Sequence, residues 1–162
     1  MGQNEIERYA GAILNDPRFQ KLRSFEHHGP ANTVYDHSLA VTRAAYRIAC
    51  ALHLSEEETA SVVRAALLHD FFMYNWNDPA SMRPLHGFTH AREALCNAQK
   101  QFELNEIERD VIKKHMFPLN IALPRYRETA LVSAADKISA VMELLHSARA
   151  LRILRRCRAV GL

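Results

Sequence analysis

The chain has 162 residues, 48% hydrophobic and 24% charged, with a net charge of +3; this is the length of one ordinary domain and the balance of a globular protein, which excludes a disordered chain or a fibrous repeat. No apolar run approaches the roughly 18 residues of a membrane span, and "MGQNEIERYA" has neither the layout of a secretory signal nor the hydroxyl residue that a myristoylation site carries at position six, so a cytoplasmic protein without a membrane partner is expected. Cys50, Cys96 and Cys157 are odd in number and far apart, which argues against a disulfide framework or a cysteine zinc site, and they read as reduced thiols.

In chain order, a first helix is predicted from about Ile6 to Leu14, ended by "NDPRF", where Pro17 opposes continuation. The loop "FEHHGPANTVYD" leads to a second helix from about Asp36 to Leu52. There Val41, Ala44, Ala45 and Ile48 recur at helical spacing, and His37, four residues before Val41, shares their inward face. The third helix opens at "SEEE", where Ser55 and Glu58 form a capping box, and runs through Val63, Ala66 and Leu67 to the adjacent pair His69-Asp70. That pair closes a very apolar run, and a buried ionised carboxylate costs several kcal/mol unless it is paired or binds metal.

A loop with Pro79 and Pro84 follows, carrying Tyr74, Trp76 and Met82 beside the pair. Thr89 is the expected cap of a fourth helix bearing Ala91, Leu95, Ala98 and Phe102, with His86 and His90 at or just before its start. Asn105 and Glu108 cap a fifth, whose inward stripe is Ile107, Val111 and His115. After "MFPLNIALPRYRE", a last core helix from about Glu128 to His146 is apolar nearly all round and reads as the central buried helix, with Asp136 inside it. Residues 147–162 are expected to form a basic helix packed on or extending from the bundle; five arginines from Arg149 to Arg158 leave the remainder of the chain at −2. With no basic surface predicted elsewhere, a nucleic-acid partner is not expected. No alternating strand pattern or hairpin turn occurs, so the fold class is all-α and residues 1–162 form one domain.

Costly inward polar groups thus come from at least four helices: His37, His69, Asp70, His115, Asp136, and one or both of His86 and His90. A single core histidine or aspartate is usually satisfied by a hydrogen bond, but six together require mutual satisfaction. A metal cation satisfies imidazoles and carboxylates at once.

The order His37, then His69-Asp70, then Asp136, flanked by "HHGPANTVYDHSLAV" and "VSAADKISA", resembles the HD superfamily of metal-dependent phosphohydrolases over about residues 23–146. The resemblance implies a bundle of about six or seven helices. "LHGFTHAREAL" and "IKKHMFP" resemble the branches that add two histidines and a second metal. It further implies that His37, His69, Asp70 and Asp136 hold one divalent transition metal while Asp70 bridges to a second held by His90 and His115, His86 being the alternative second-site ligand or a substrate contact. Iron or manganese is favoured by family habit, with zinc, cobalt and nickel also compatible. A metal-bound hydroxide would then attack phosphorus in a small phosphorylated substrate, with nucleotides placed first. Asp70 and Lys137 are the catalytic candidates, and Lys137, Arg127, His28 and His86 the candidates for binding the phosphate. Asp78 and Glu143 are candidate acceptors for ligand imidazoles. The alternatives are a diadenosine tetraphosphate hydrolase of the same type, a nucleotide-sensing module without turnover, and a helical adaptor whose histidines are structural.

Overall fold

The computed structural model describes residues 3–27, 32–74 and 86–159, with side chains for 4–27, 32–74 and 89–146. Three capping boxes set the starts of the helices that frame the site. Thr33 accepts from the Asp36 amide at 3.1 Å and opens α3 (Val34–Ala51). Ser55 and Glu58 do the same for α4 (Glu56–Leu68), and Asn105 and Glu108 for α6 (Glu106–Lys114). Each pair satisfies amide donors that a helix start leaves without an internal partner. The second predicted helix therefore begins two residues before Asp36, because that aspartate acts as the reciprocal partner in the box rather than as the cap.

Pro17 does end α1 (Gln3–Leu14), and it also starts α2 (Pro17–Gln20), where a missing amide hydrogen costs nothing and Asp16 accepts from the Arg18 amide at 2.8 Å. A single 3-10 turn, Lys21–Ser24, follows. α5 (His86–Gln99) begins three residues before Thr89, which therefore lies inside its first turn instead of capping it.

Among the described residues there are seven α-helices and no strand, only an isolated bridge between Glu26 and Thr33. None of these helices is long and apolar enough to cross a membrane. α3 packs along α4 and α7 (Arg127–Ala159), α6 is wedged between α4, α5 and α7, and α1 covers α4.

The central helix is α4, not the last one. Beyond Ser61 only Arg64 interrupts a run in which Val62, Val63, Ala65, Ala66, Leu67 and Leu68 are all fully buried. The last helix, α7, buries Leu131, Val132 and Ala135 but leaves Ile138, Val141, Met142, Leu144 and Leu145 at least half exposed. Apolar residues all round a helix show what it can bury, and only the number of neighbouring helices decides what it does bury. α7 also continues without a break through the basic segment to Ala159, so the basic helix extends α7 instead of forming a separate element.

Candidate metal centre

The C-terminal end of α4, the first turn of α3, the first turns of α5, the end of α6 and the middle of α7 converge on one point in the core. His37, His69, Asp70, His90, His115 and Asp136 meet there, each at most 8% exposed. His37 and His69 are fully enclosed.

Three of the imidazoles are held from behind. His69 Nδ1 donates to the Ala66 carbonyl at 2.7 Å and His115 Nδ1 to the Ile112 carbonyl at 2.9 Å, each within its own helix turn. His37 Nδ1 meets Glu143 Oε1 at 3.0 Å, from two turns further along α7 than Asp136. With Nδ1 engaged as a donor, Nε2 of each ring faces the centre and is the atom left for a metal, which is how an oriented metal-ligating histidine is built. Glu143, a candidate acceptor in the sequence, has this role for His37; Asp78 lies outside the described residues.

Asp70 stands in the middle with its two oxygens facing different partners. Oδ1 faces His90 Nε2 at 3.4 Å and His115 Nε2 at 3.5 Å, and these two nitrogens are themselves 3.1 Å apart. Oδ2 faces His69 Nε2 at 3.5 Å and His37 Nε2 at 3.9 Å. Asp136 Oδ1 completes the second group, 3.1 Å from His37 Nε2 and 3.8 Å from His69 Nε2. Among the described residues, His37, His69 and Asp136 lie close enough to share one ion, as do His69, Asp70 and His115.

The electrostatics match. Burial alone would raise the Asp70 carboxyl, but His69 and its neighbouring imidazoles hold it well below its ordinary 3.8. Asp136 is likewise pushed up by burial and held at about 2 chiefly by the hydrogen bond to His37. Burial lowers His69 to about 4, so its ring is neutral and its lone pair is available. Burial also pulls on His37 and His115, yet the carboxylates win: Asp136 and Glu143 raise His37 to about 10, and Asp70 raises His115. Two anionic carboxylates among imidazoles therefore call for positive charge at this point, from protons or from a cation.

Two observations test a cation directly. Among the described residues, His69 Nε2 and Asp70 Oδ1 are buried without a hydrogen-bond partner, although buried polar atoms are nearly always satisfied. Both are metal donor atoms, one in each group, and the mixed nitrogen and oxygen set suits a first-row divalent metal. The residues fit the group.

The other candidates are placed differently. Lys137 donates to Ser133 Oγ at 2.7 Å and to the His115 carbonyl at 3.2 Å; burial lowers its pKa against the opposing pull of the Asp136 charge. It thus braces the turn that carries His115. Arg127 is not brought to the centre: it lies exposed on the first turn of α7, paired with Glu58 at 2.6 Å. His28 and the side chain of His86 fall outside the described residues, as do Trp76 and Met82. Tyr74 is buried and packs on Phe72, their ring centroids 5.0 Å apart, as part of the core.

One site residue is absent from the set that the sequence suggests. His27, the neighbour of the candidate His28, is buried at the centre with Nε2 3.3 Å from Asp70 Oδ2. Two adjacent histidines in a loop have no periodicity to say which one points inward; the signal was the pair "HH" itself.

Compared with known protein families, residues 34–141 match the HD domain. No curated protein matches the chain.

Proposed function

The chain belongs to the HD-domain family of metal-dependent phosphohydrolases, and from that premise we propose that it hydrolyses a small phosphorylated molecule, nucleotides first among them, at a site for two divalent ions. The observation that carries this reading is the two-sided Asp70, whose Oδ1 faces His90 and His115 while Oδ2 faces His37 and His69. His37, His69, Asp70 and Asp136 would hold one ion; Asp70, His90 and His115 would hold the other. Iron or manganese is favoured, with zinc, cobalt and nickel compatible with the same donors. When bound, such ions lower the pKa of a water toward neutrality and neutralise phosphoryl charge.

The chain's own residues prepare that chemistry. Glu143, the Ala66 carbonyl and the Ile112 carbonyl fix three imidazole planes before any ligand arrives, so little reorganisation is left for binding. Asp70 stays ionised in a site almost closed to water, where its charge is screened less than on the surface. Lys137, Ser133 and the His115 carbonyl form a brace that sets the reach of His115. The phosphate contacts proposed for His28 and His86 lie near the ligands in sequence. The nucleotide preference is supported by Trp76 in the segment that follows the HD pair, a side chain on which a base can stack.

The test is direct. The protein, stripped of metal and reloaded with Mn(II) or Fe(II), is given nucleoside mono-, di- and triphosphates, cyclic nucleotides and diadenosine tetraphosphate, and product release is followed. Metal-dependent turnover of one class is expected. Stoichiometric metal with nucleotide binding but no turnover would replace the enzyme by a sensing module, and metal near zero would favour a structural adaptor.

A further inference from the structure

Among the described residues, Asp70 Oδ2 has three imidazole nitrogens around it, not two, and the nearest is not one of the HD positions. His27 Nε2 lies at 3.3 Å, His69 Nε2 at 3.5 Å and His37 Nε2 at 3.9 Å. His27 reaches this place because the chain is pinned to itself just before α3. The Val34 amide donates to the Phe25 carbonyl at 2.9 Å and the His27 amide to the Asn32 carbonyl at 2.8 Å, around the Glu26–Thr33 bridge. His27 is thereby held over the first turn of α3, its ring stacked on that of His37 with centroids 4.0 Å apart and planes 26° from parallel.

The two rings share their surroundings. Glu143 lies behind both, with Oε1 3.0 Å from His37 Nδ1 and Oε2 3.9 Å from His27 Nδ1. Asp70 Oδ2 lies in front of both. A carboxylate oxygen offers about two lone-pair directions, so three Nε2 atoms cannot all donate to it well. One cation among them accepts a lone pair from each nitrogen and from the oxygen together. His27, His37 and Asp70 also present donor atoms close enough to share a single ion.

We infer that His27 is a further ligand of the ion assigned to His37, His69, Asp70 and Asp136. The inference rests on reading the cluster as a metal site, and not on the choice of substrate. It makes the two ions unequal. Among the described residues, the first is held by three imidazoles and two carboxylates, the second by two imidazoles and the shared Asp70, so the first binds tightly and the second exchanges.

The test is a Co(II) titration of the metal-free full chain against a competing chelator, with the visible cobalt spectrum recorded at saturation, for wild type, His27→Ala and Asp70→Ala. Loss of an oriented neighbour of a metal ligand typically weakens binding about 10- to 100-fold, and loss of a ligand should do at least as much. His27→Ala should therefore lose about 10- to 100-fold or more in affinity for the tighter ion, with an altered spectrum and unchanged helical circular dichroism. Affinity and spectrum equal to wild type would overturn the inference, including the case where inhibition by inorganic phosphate weakens, which would make His27 a phosphate contact. Should His27→Ala lose its helical signal, His27→Gln is judged by the same two criteria. A wild-type protein that binds no cobalt would instead sink the metal-site reading itself.

Discussion

Two buried aspartates in this molecule, Asp70 and Asp110, solve the same problem in opposite ways. Asp110, on α6, is satisfied wholly by the chain: Oδ2 accepts from Thr129 Oγ1 at 2.7 Å and from the Arg125 amide at 2.9 Å, while Oδ1 pairs with Lys114. It fastens α6 to the start of α7. Among the described residues, Asp70 has only imidazoles as charged or polar side-chain neighbours, and its Oδ1 is buried without a hydrogen-bond partner. A carboxylate whose every lone pair is matched by protein donors is structural, whereas one surrounded by groups that are themselves acceptors when neutral is a site.

Removing Asp70 should do the most damage. Asp70→Ala should abolish hydrolysis and strip both ions, as read by phosphate release and elemental analysis, while the helical content of the metal-free protein stays close to wild type. Glu143→Gln comes next. It leaves every proposed ligand in place but removes the carboxylate behind His37, so metal affinity should fall about 10- to 100-fold, measured by chelator competition; unchanged affinity would remove Glu143 from the site.

Asp110→Ala should behave in the reverse manner. Removing a buried, charge-assisted acceptor should cost about 2–3 kcal/mol by denaturant unfolding, with metal content unchanged. Its pH dependence separates charge from shape. The donors around Asp110 outweigh burial and hold its folded pKa below the ordinary 3.8. A lowered folded pKa means that stability from this group is present above the unfolded value and is lost as pH falls through the folded one. The gap between wild type and Asp110→Ala should therefore narrow below pH 3.8, and a gap that stays constant into that range would show that ionisation is not what Asp110 contributes. Arg127→Ala should matter least, since it breaks an exposed pair with Glu58; such pairs are worth about 0–1 kcal/mol, and metal content should not change.

Much of this architecture is legible in residues that interact locally. Ser55 with Glu58 and Asn105 with Glu108 act across three residues, so their capping could be read from spacing, and His37 and His115 could be placed inward because they continue apolar stripes of their own helices. What could not be read depends on the chain meeting itself. α4 is central and the outer half of α7 exposed because of how many helices surround each, which periodicity does not encode. Lys137 stands next to Asp136 in sequence, yet one helical step of about 100° separates their directions, and its ammonium finds the His115 carbonyl. His27 is inward because a loop closes on Thr33, a contact that no local pattern announces.

Whether Asp70 joins two metal positions can be decided by elemental analysis of the purified chain beside its Asp70→Ala variant. About two transition-metal ions per chain are expected in the wild type, with both lost in the variant. An Asp70→Ala protein that keeps the wild-type metal content would refute the bridge.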